Sequence, residues 1–168
     1  MKSIAPKLLV CFFLSVLLFS CAKEDDGIYF NESNEELSST PIEYSAIETE
    51  ILDLVNNYRN GINLQSLNSL NVISSVADSH TEYMIEKGKI SHDNFDQRAQ
   101  TLMNKANAKT VAENVAYGYT SAESVVNGWL NSESHRSIIE NPNFTHFGIS
   151  TESNNEGRNY FTNIFIKK

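Results

Sequence analysis

The residues best able to do chemistry in this chain are its four histidines and the acidic side chains set among apolar neighbours. The richest stretch runs from Val111 to Arg136, VAENVAYGYTSAESVVNGWLNSESHR. It places Glu113 inside an apolar, strand-like run and ends on Ser132, Glu133 and His135, close to Trp129, the only tryptophan. A carboxylate buried among apolar side chains must be hydrogen-bonded or paired, because isolated burial of charge is expensive. A protonated imidazole or a metal ion is the natural partner. His92 and His135 stand in polar settings at the ends of elements, where sites are usually carried. His80 falls on the apolar stripe of a helix and reads as a buried, hydrogen-bonded structural histidine; His146 opens a strand and reads as structural or exposed. The metalloprotease pattern His-Glu-x-x-His is absent, as are the nucleophile elbow Gly-x-Ser-x-Gly and any glycine-rich phosphate loop.

The elements that must position these groups are legible from caps and periodicity. Ser45-Ala-Ile-Glu48 is a capping box, and Ile47, Ile51, Leu54, Val55 and Tyr58 form one apolar stripe behind it, ending at Asn60-Gly61 with Gly61 as the left-handed stop. A second helix is expected from Ser69 to Lys87, stopped by Gly88, then the loop Ile90-Ser91-His92-Asp93 and a third helix from Phe95 to Asn107. Residues 111–117 read as a strand. Thr120-Ser-Ala-Glu123 reads as a second capping box, opening a helix to Asn131 whose face is Ala122, Val125, Val126 and Trp129. A short helix over residues 135–140 stops before Pro142. Residues 147–152 and 159–167 are expected as strands, joined through the turn signal Asn154-Asn-Glu-Gly157. Helices precede most of the strands, so the class is α+β.

Before this domain the composition changes twice. Lys2 and Lys7 precede an apolar run over residues 8–19, too short for a comfortable membrane span and right for a secretory leader. The run ends Leu18-Phe19-Ser20-Cys21. It resembles the bacterial lipobox, which implies cleavage after residue 20 and a lipidated Cys21 that anchors the chain to a membrane. An ordinary signal peptide with an incidental cysteine, or an uncleaved anchor, is the alternative. Several acyl chains suffice for stable anchoring where one does not. Lys23-Glu24-Asp25-Asp26 reads either as a signal for the cell surface or as the solvated start of a tether. The organisation is therefore a leader over residues 1–20, an acidic tether over 21–44 and one domain over 45–168. The tether can extend ~3.3–3.6 Å per residue. Loss of the leader removes two of the 13 basic side chains and none of the 21 acidic ones, taking the formal charge from −8 to −10. That balance speaks against nucleic acid as a partner. Cys11 leaves with the leader and Cys21 would be blocked, so disulfides, thiol nucleophiles and cysteine–zinc sites are excluded from the domain.

Five short motifs, in order, carry a resemblance over residues 46–168: Ala77-x-x-His80, Ile90-Ser91-His92, Ala112-Glu113-Asn114-Val115-Ala116, Trp129-x-x-Ser132-x-x-His135-Arg136 and Phe147-Gly148-Ile149. Together they resemble the CAP superfamily of cysteine-rich secretory proteins, antigen five and plant pathogenesis-related proteins, most of all its bacterial extracellular, SCP-like branch. The resemblance implies an α-β-α sandwich, with helices on both faces of a small antiparallel sheet. It also implies a surface cleft holding two histidines and two glutamates, of which His92, Glu113 and His135 are three. Ser132 stands where the family's second acid would be, and Glu133 follows one residue later as the candidate replacement. Two imidazoles and a carboxylate can hold Zn²⁺ with an open fourth position. His92 and His135 would then be the metal ligands, and binding would weaken below the imidazole pKa of about 6.5. Three functions follow in order: an anchored binding or interaction module with a weakly metal-binding cleft and an extracellular ligand, a metal-dependent hydrolase of peptide, lipid or polysaccharide, and a ligand-free scaffold.

Overall fold

The computed structural model describes residues 42–168, so the expected leader, Cys21 and the tether as far as residue 41 lie outside the described residues. In chain order the elements are α1 (Ala46–Gly61), β1 (Asn68–Ser69), α2 (Asn71–Lys87), α3 (Phe95–Ala106), β2 (Thr110–Tyr117), α4 (Ala122–Asn131), α5 (Glu133–Ile139), β3 (His146–Ser153) and β4 (Asn159–Lys167). The sheet order is β1-β3-β4-β2. The long strands pair antiparallel, with β4 between its hairpin partner β3 and the edge strand β2. β1 adds two residues to β3 in parallel, which departs from the purely antiparallel expectation.

Side-chain alternation on β4 divides the core into two layers. Phe161 and Phe165 lie with Phe147, Ile149 and Ala116 under α1, α4 and α5, around Ile51, Val55, Val125 and Trp129. Ile164 and Ile166 face the other way, against Ile73 and Ala77 of α2 and Leu102 and Ala106 of α3. Each of the buried Val, Leu, Ile and Phe side chains among these contributes about 1.5–3 kcal/mol. The result is helices on both faces of a small sheet, the α+β sandwich anticipated from the motifs. Helix α2 approaches the sheet closely at Gly148, where an added Cβ would stand 2.6 Å from the Ser74 backbone nitrogen. None of the helices among the described residues is long and apolar enough to cross a membrane.

Several local expectations shift by a residue or more, each for an identifiable reason. Helix α1 has its capping box at Ser45 and Glu48, but Gly61 ends inside the helix, and Asn63 takes the left-handed conformation at φ 63°. The Glu48 carboxylate accepts from the Ser45 N–H at 2.8 Å and hydroxyl at 2.7 Å, and from Thr151 N–H of β3 at 2.8 Å. Ser69 is not helical. It belongs to β1, because the Asn68 and Leu70 N–H groups bond to the Thr145 and Phe147 carbonyls, contacts that no local pattern announces. In α4 the cap is Ser121 with Ser124, one residue later than expected. Helix α5 begins at Glu133 and ends at Ile139.

Candidate functional site

The centre of the site is Glu113, midway along β2. Its register partner on β4 is Ile164, so it shares the face covered by α2 and α3. Only 5% of it is exposed. Arg98 of α3 closes a two-pronged grip on the carboxylate, Nε to Oε2 and Nη2 to Oε1, both at 2.8 Å. His92, in the loop between α2 and α3, adds Nδ1 to Oε1 at 2.8 Å. Burial alone would raise the Glu113 carboxyl, but the His92 and Arg98 hydrogen bonds and the nearby positive charge outweigh it and hold it below the usual carboxylate range. Glu113 is therefore a fixed, compensated anion.

Two further groups hold the loop that presents His92. His80 of α2 donates Nε2–H to the Ser91 carbonyl at 2.8 Å, and Arg98 Nη1 donates to the Asp93 carbonyl at 2.6 Å. Both backbone neighbours of His92 are thus pinned from the protein side. With its proton on Nε2, His80 leaves Nδ1 buried and without a partner. Burial pushes its pKa down, partly offset by Glu113 and the Ser91 carbonyl, so the neutral ring is the form the fold favours. His80 is buried and hydrogen-bonded, as its stripe position implied. It also lies 3.7 Å from Glu113 Oε1, a place at the site that the sequence reading did not assign.

His135 enters from the opposite layer, on α5. Its Nδ1 hydrogen-bonds Ser132 Oγ at 2.8 Å, and its carbonyl accepts from Asn114 Nδ2 at 3.2 Å, tying α5 to β2. Ser132, standing at the family's acid position, thus orients the imidazole without supplying a charge. The far end of α5 is held by Arg59 of α1, 1% exposed, which donates to the Ile139 carbonyl at 2.6 Å and the Asn141 carbonyl at 3.1 Å. Burial first, and the charge of His92 second, lower the His135 pKa. Beside His92 opens a cleft of about 320 Å³ lined by His92, Phe95, Val111, Ala112, Glu113 and Ile138; His135 is not part of this lining.

Glu113 and His92 therefore meet directly, whereas the His135 ring is held by Ser132 and only its carbonyl is tied to β2, through Asn114. Glu133 does not join them. It is exposed on the first turn of α5, with no hydrogen bond or ion pair among the described residues, because its position one residue past the helix cap turns it to solvent. His146 bonds Thr145 Oγ1 at 2.9 Å on β3, separated from β2 by β4. A roomier groove of about 650 Å³ beside Glu82, Glu86 and Glu152 has no histidine in its lining.

The donor set does not make the three-ligand zinc site expected from the sequence. Among the described residues no group of three or more His, Cys, Asp or Glu side chains is placed to hold a metal ion. Glu113 has both oxygens committed to Arg98 and His92, so it can only orient an imidazole from behind, as outer-shell carboxylates do. Two imidazole nitrogens remain, Nε2 of His92 and of His135, one fewer than a catalytic zinc site uses. Arg98 is the functional residue that sequence reasoning missed. Its signal was present: Arg98, Leu102 and Ala106 form the buried row of α3, and a cation in such a row needs a buried anion.

A sequence profile of the cysteine-rich secretory protein family (CAP) matches residues 52–165. The chain belongs to that family. It is 33% identical over 140 residues to the YkwD protein of Bacillus subtilis, an alignment covering 82% of this chain and 53% of that protein. It is also 33% identical over 126 residues to the Bacillus subtilis membrane protein YlbC, covering 72% and 34%. The chain thus spans about half of one relative and about a third of the other. Among solved structures, an extracellular SCP-domain protein of Bacillus anthracis superposes with a TM-score of 0.64 at 26% identity, over 77% of this chain and 45% of that one. An outer surface protein of Borrelia burgdorferi shares the fold with a TM-score of 0.65 at 23% identity, over 71% and 91%.

Proposed function

We propose that the chain is a cell-envelope interaction module, anchored through a lipid on Cys21, whose cleft at the β2 edge binds a ligand with His92 and His135. The occupation of Glu113 is the observation that carries this reading. A carboxylate held by three hydrogen bonds from Arg98 and His92, buried and kept below the usual carboxylate range, is a weak base for taking a proton from a nucleophilic water. It does orient His92, leaving that ring's Nε2 directed to the half-exposed side. The arrangement suits recognition, with prepositioned polar groups and little that must move. The surface location of the Borrelia relative in fold and the extracellular character of the Bacillus anthracis one support an exported chain. The hydrolase alternative would need a base other than Glu113.

Zinc titration of the full chain by calorimetry tests this, against a His92→Ala/His135→Ala double variant. Weak binding that needs excess zinc and disappears in the double variant is the expected result. Tight stoichiometric zinc, together with zinc-dependent turnover of a peptide, lipid ester or polysaccharide lost in His92→Ala, would overturn the interaction reading in favour of a hydrolase.

A further inference from the structure

The edge strand β2 is open for two residues where it borders the cleft. The bond from Gly118 N–H to the Asn159 carbonyl sets the phase of the β2–β4 ladder. In antiparallel pairing the bonded residues alternate. Residues 112, 114 and 116 therefore turn their backbone groups to β4, while Val111, Glu113 and Val115 turn theirs outward. Trp129 confirms the phase independently, since its indole Nε1–H donates to the Val115 carbonyl at 3.2 Å and closes the edge there. Val111 and Glu113 have no such cover. Their outward N–H and C=O groups bond to no described residue, and both residues line the cleft.

We infer that this open edge takes an extended peptide from another protein as an added strand, lying between the walls formed by Phe95 of α3 and Ile138 of α5. The inference rests on the reading of the cleft as a binding site and names its ligand class. Alternating donors and acceptors on residues two apart, roughly 6.8 Å along a strand, match the backbone of an extended polypeptide. Lipid chains and sugars present no such repeat. A single segment fits better than a second folded copy, because a sheet edge carries its own covering helices against Phe95 and Ile138. Side-chain preference follows from the faces. A peptide residue opposite Ala112 shares the face of Ile138 and meets apolar surface, with a small partner that leaves room. Its neighbours point toward Phe95 and His92, where a polar side chain can reach the free Nε2.

The test begins with a phage-displayed random dodecapeptide library selected on the full chain in detergent. Selected peptides are then synthesised with single backbone N-methyl groups at each position in turn. Strand addition predicts loss of about tenfold or more at alternate positions and little at those between, since each blocked amide removes a bonded donor. Hydrogen exchange at Val111 and Glu113 should slow on binding, while Ala112 and Asn114, already bonded to β4, should not change. Val111→Pro removes one edge donor without breaking the β4 ladder and should weaken binding, whereas Val111→Thr should not. The N-methyl series leaves the protein untouched, so it decides even where Val111→Pro fails to fold. Peptides sensitive to His92→Ala/His135→Ala but lacking the alternation would overturn strand addition while keeping a binding cleft. Peptides insensitive to both, or no selected peptide, would overturn the strand and remove support for the cleft as well. Concentration-dependent protection of Val111 and Glu113 without peptide would make a second copy the occupant and also overturn the inference.

Discussion

Replacing Arg98 by methionine keeps the aliphatic stem and deletes the guanidinium that grips Glu113. Two hydrogen bonds of 2.8 Å to the carboxylate and one of 2.6 Å to the Asp93 carbonyl go with it. Glu113 is then a buried anion with only His92 against it. Removing one partner of a buried pair typically costs about 3–5 kcal/mol, most of it the desolvation of the charge left behind. For a domain of this size the lower figure corresponds to a fall in Tm of roughly 10–15 °C. Urea unfolding at pH 7 reads the loss directly. The double variant Arg98→Met/Glu113→Gln should recover much of it, since no charge then remains buried. The pH dependence is a second check. The Glu113 carboxyl is depressed in the fold, so its stabilisation is complete above the ordinary carboxylate value and is lost as pH falls through the lower folded value. The gap between wild type and Arg98→Met should therefore be full at neutral pH and shrink in acid. A loss below about 1 kcal/mol, or a gap of constant size in acid and at neutral pH, would refute the assignment of Glu113 as an anion held by Arg98.

His80→Ala should lower stability by about 1–3 kcal/mol, because the Ser91 carbonyl loses its donor and a cavity forms, and it should blunt whatever ligand response depends on His92, as read by a melt and a titration on the same sample. Because the His80 pKa is lowered, wild-type stability should fall as pH drops below the ordinary imidazole value and the buried ring is forced to charge, a slope missing from His80→Ala. Gly148→Ala should cost about 1–3 kcal/mol in the same unfolding assay, since the new methyl group meets the α2 backbone, which cannot yield like a side chain. Glu133→Gln should change neither the melt nor zinc binding, as expected of an exposed side chain without partners; a clear loss of zinc affinity would restore Glu133 to the site. Cys21→Ser should abolish labelling by a fatty-acid analogue and leave the precursor uncleaved; persistent labelling would sink the lipid anchor.

How much of this could be read beforehand depended on whether a signal was local. The Ser45 box, the stripe of α1 and the span of β4 follow from side chains a few residues apart, and they appear where periodicity put them. Glu113 was legible as a paired, buried carboxylate because its apolar neighbours demand compensation. The identity of the partner was not, because α3 must first dock on the sheet before Arg98 can face β2. The same holds for His80, whose burial is a helix-stripe property while its contact with the His92 loop is a tertiary one. β1 had the weakest signal of all, two residues whose strand character exists only through bonds to residues 145–147. At α4 the sequence pointed to Thr120/Glu123, and the observed cap of Ser121 with Ser124 was not legible, because a serine at the third position falls outside the Ser/Thr-x-x-Glu/Gln pattern.

The central place of β4 has a consequence for biosynthesis. It follows every other described element in the chain, yet it lies between β3 and β2, and both long ladders run through it. While the ribosome is still completing the segment, β2 and β3 each present a bare edge, with Phe147, Ile149 and Val115 waiting for their cover. Arg59 Nε finds the nearby Gln65 carbonyl, but Nη1 waits for carbonyls made about 80 positions later. A chain that stops before Asn159 lacks both long ladders, so premature termination there would release exposed strand edges and a sticky product and not a weaker domain.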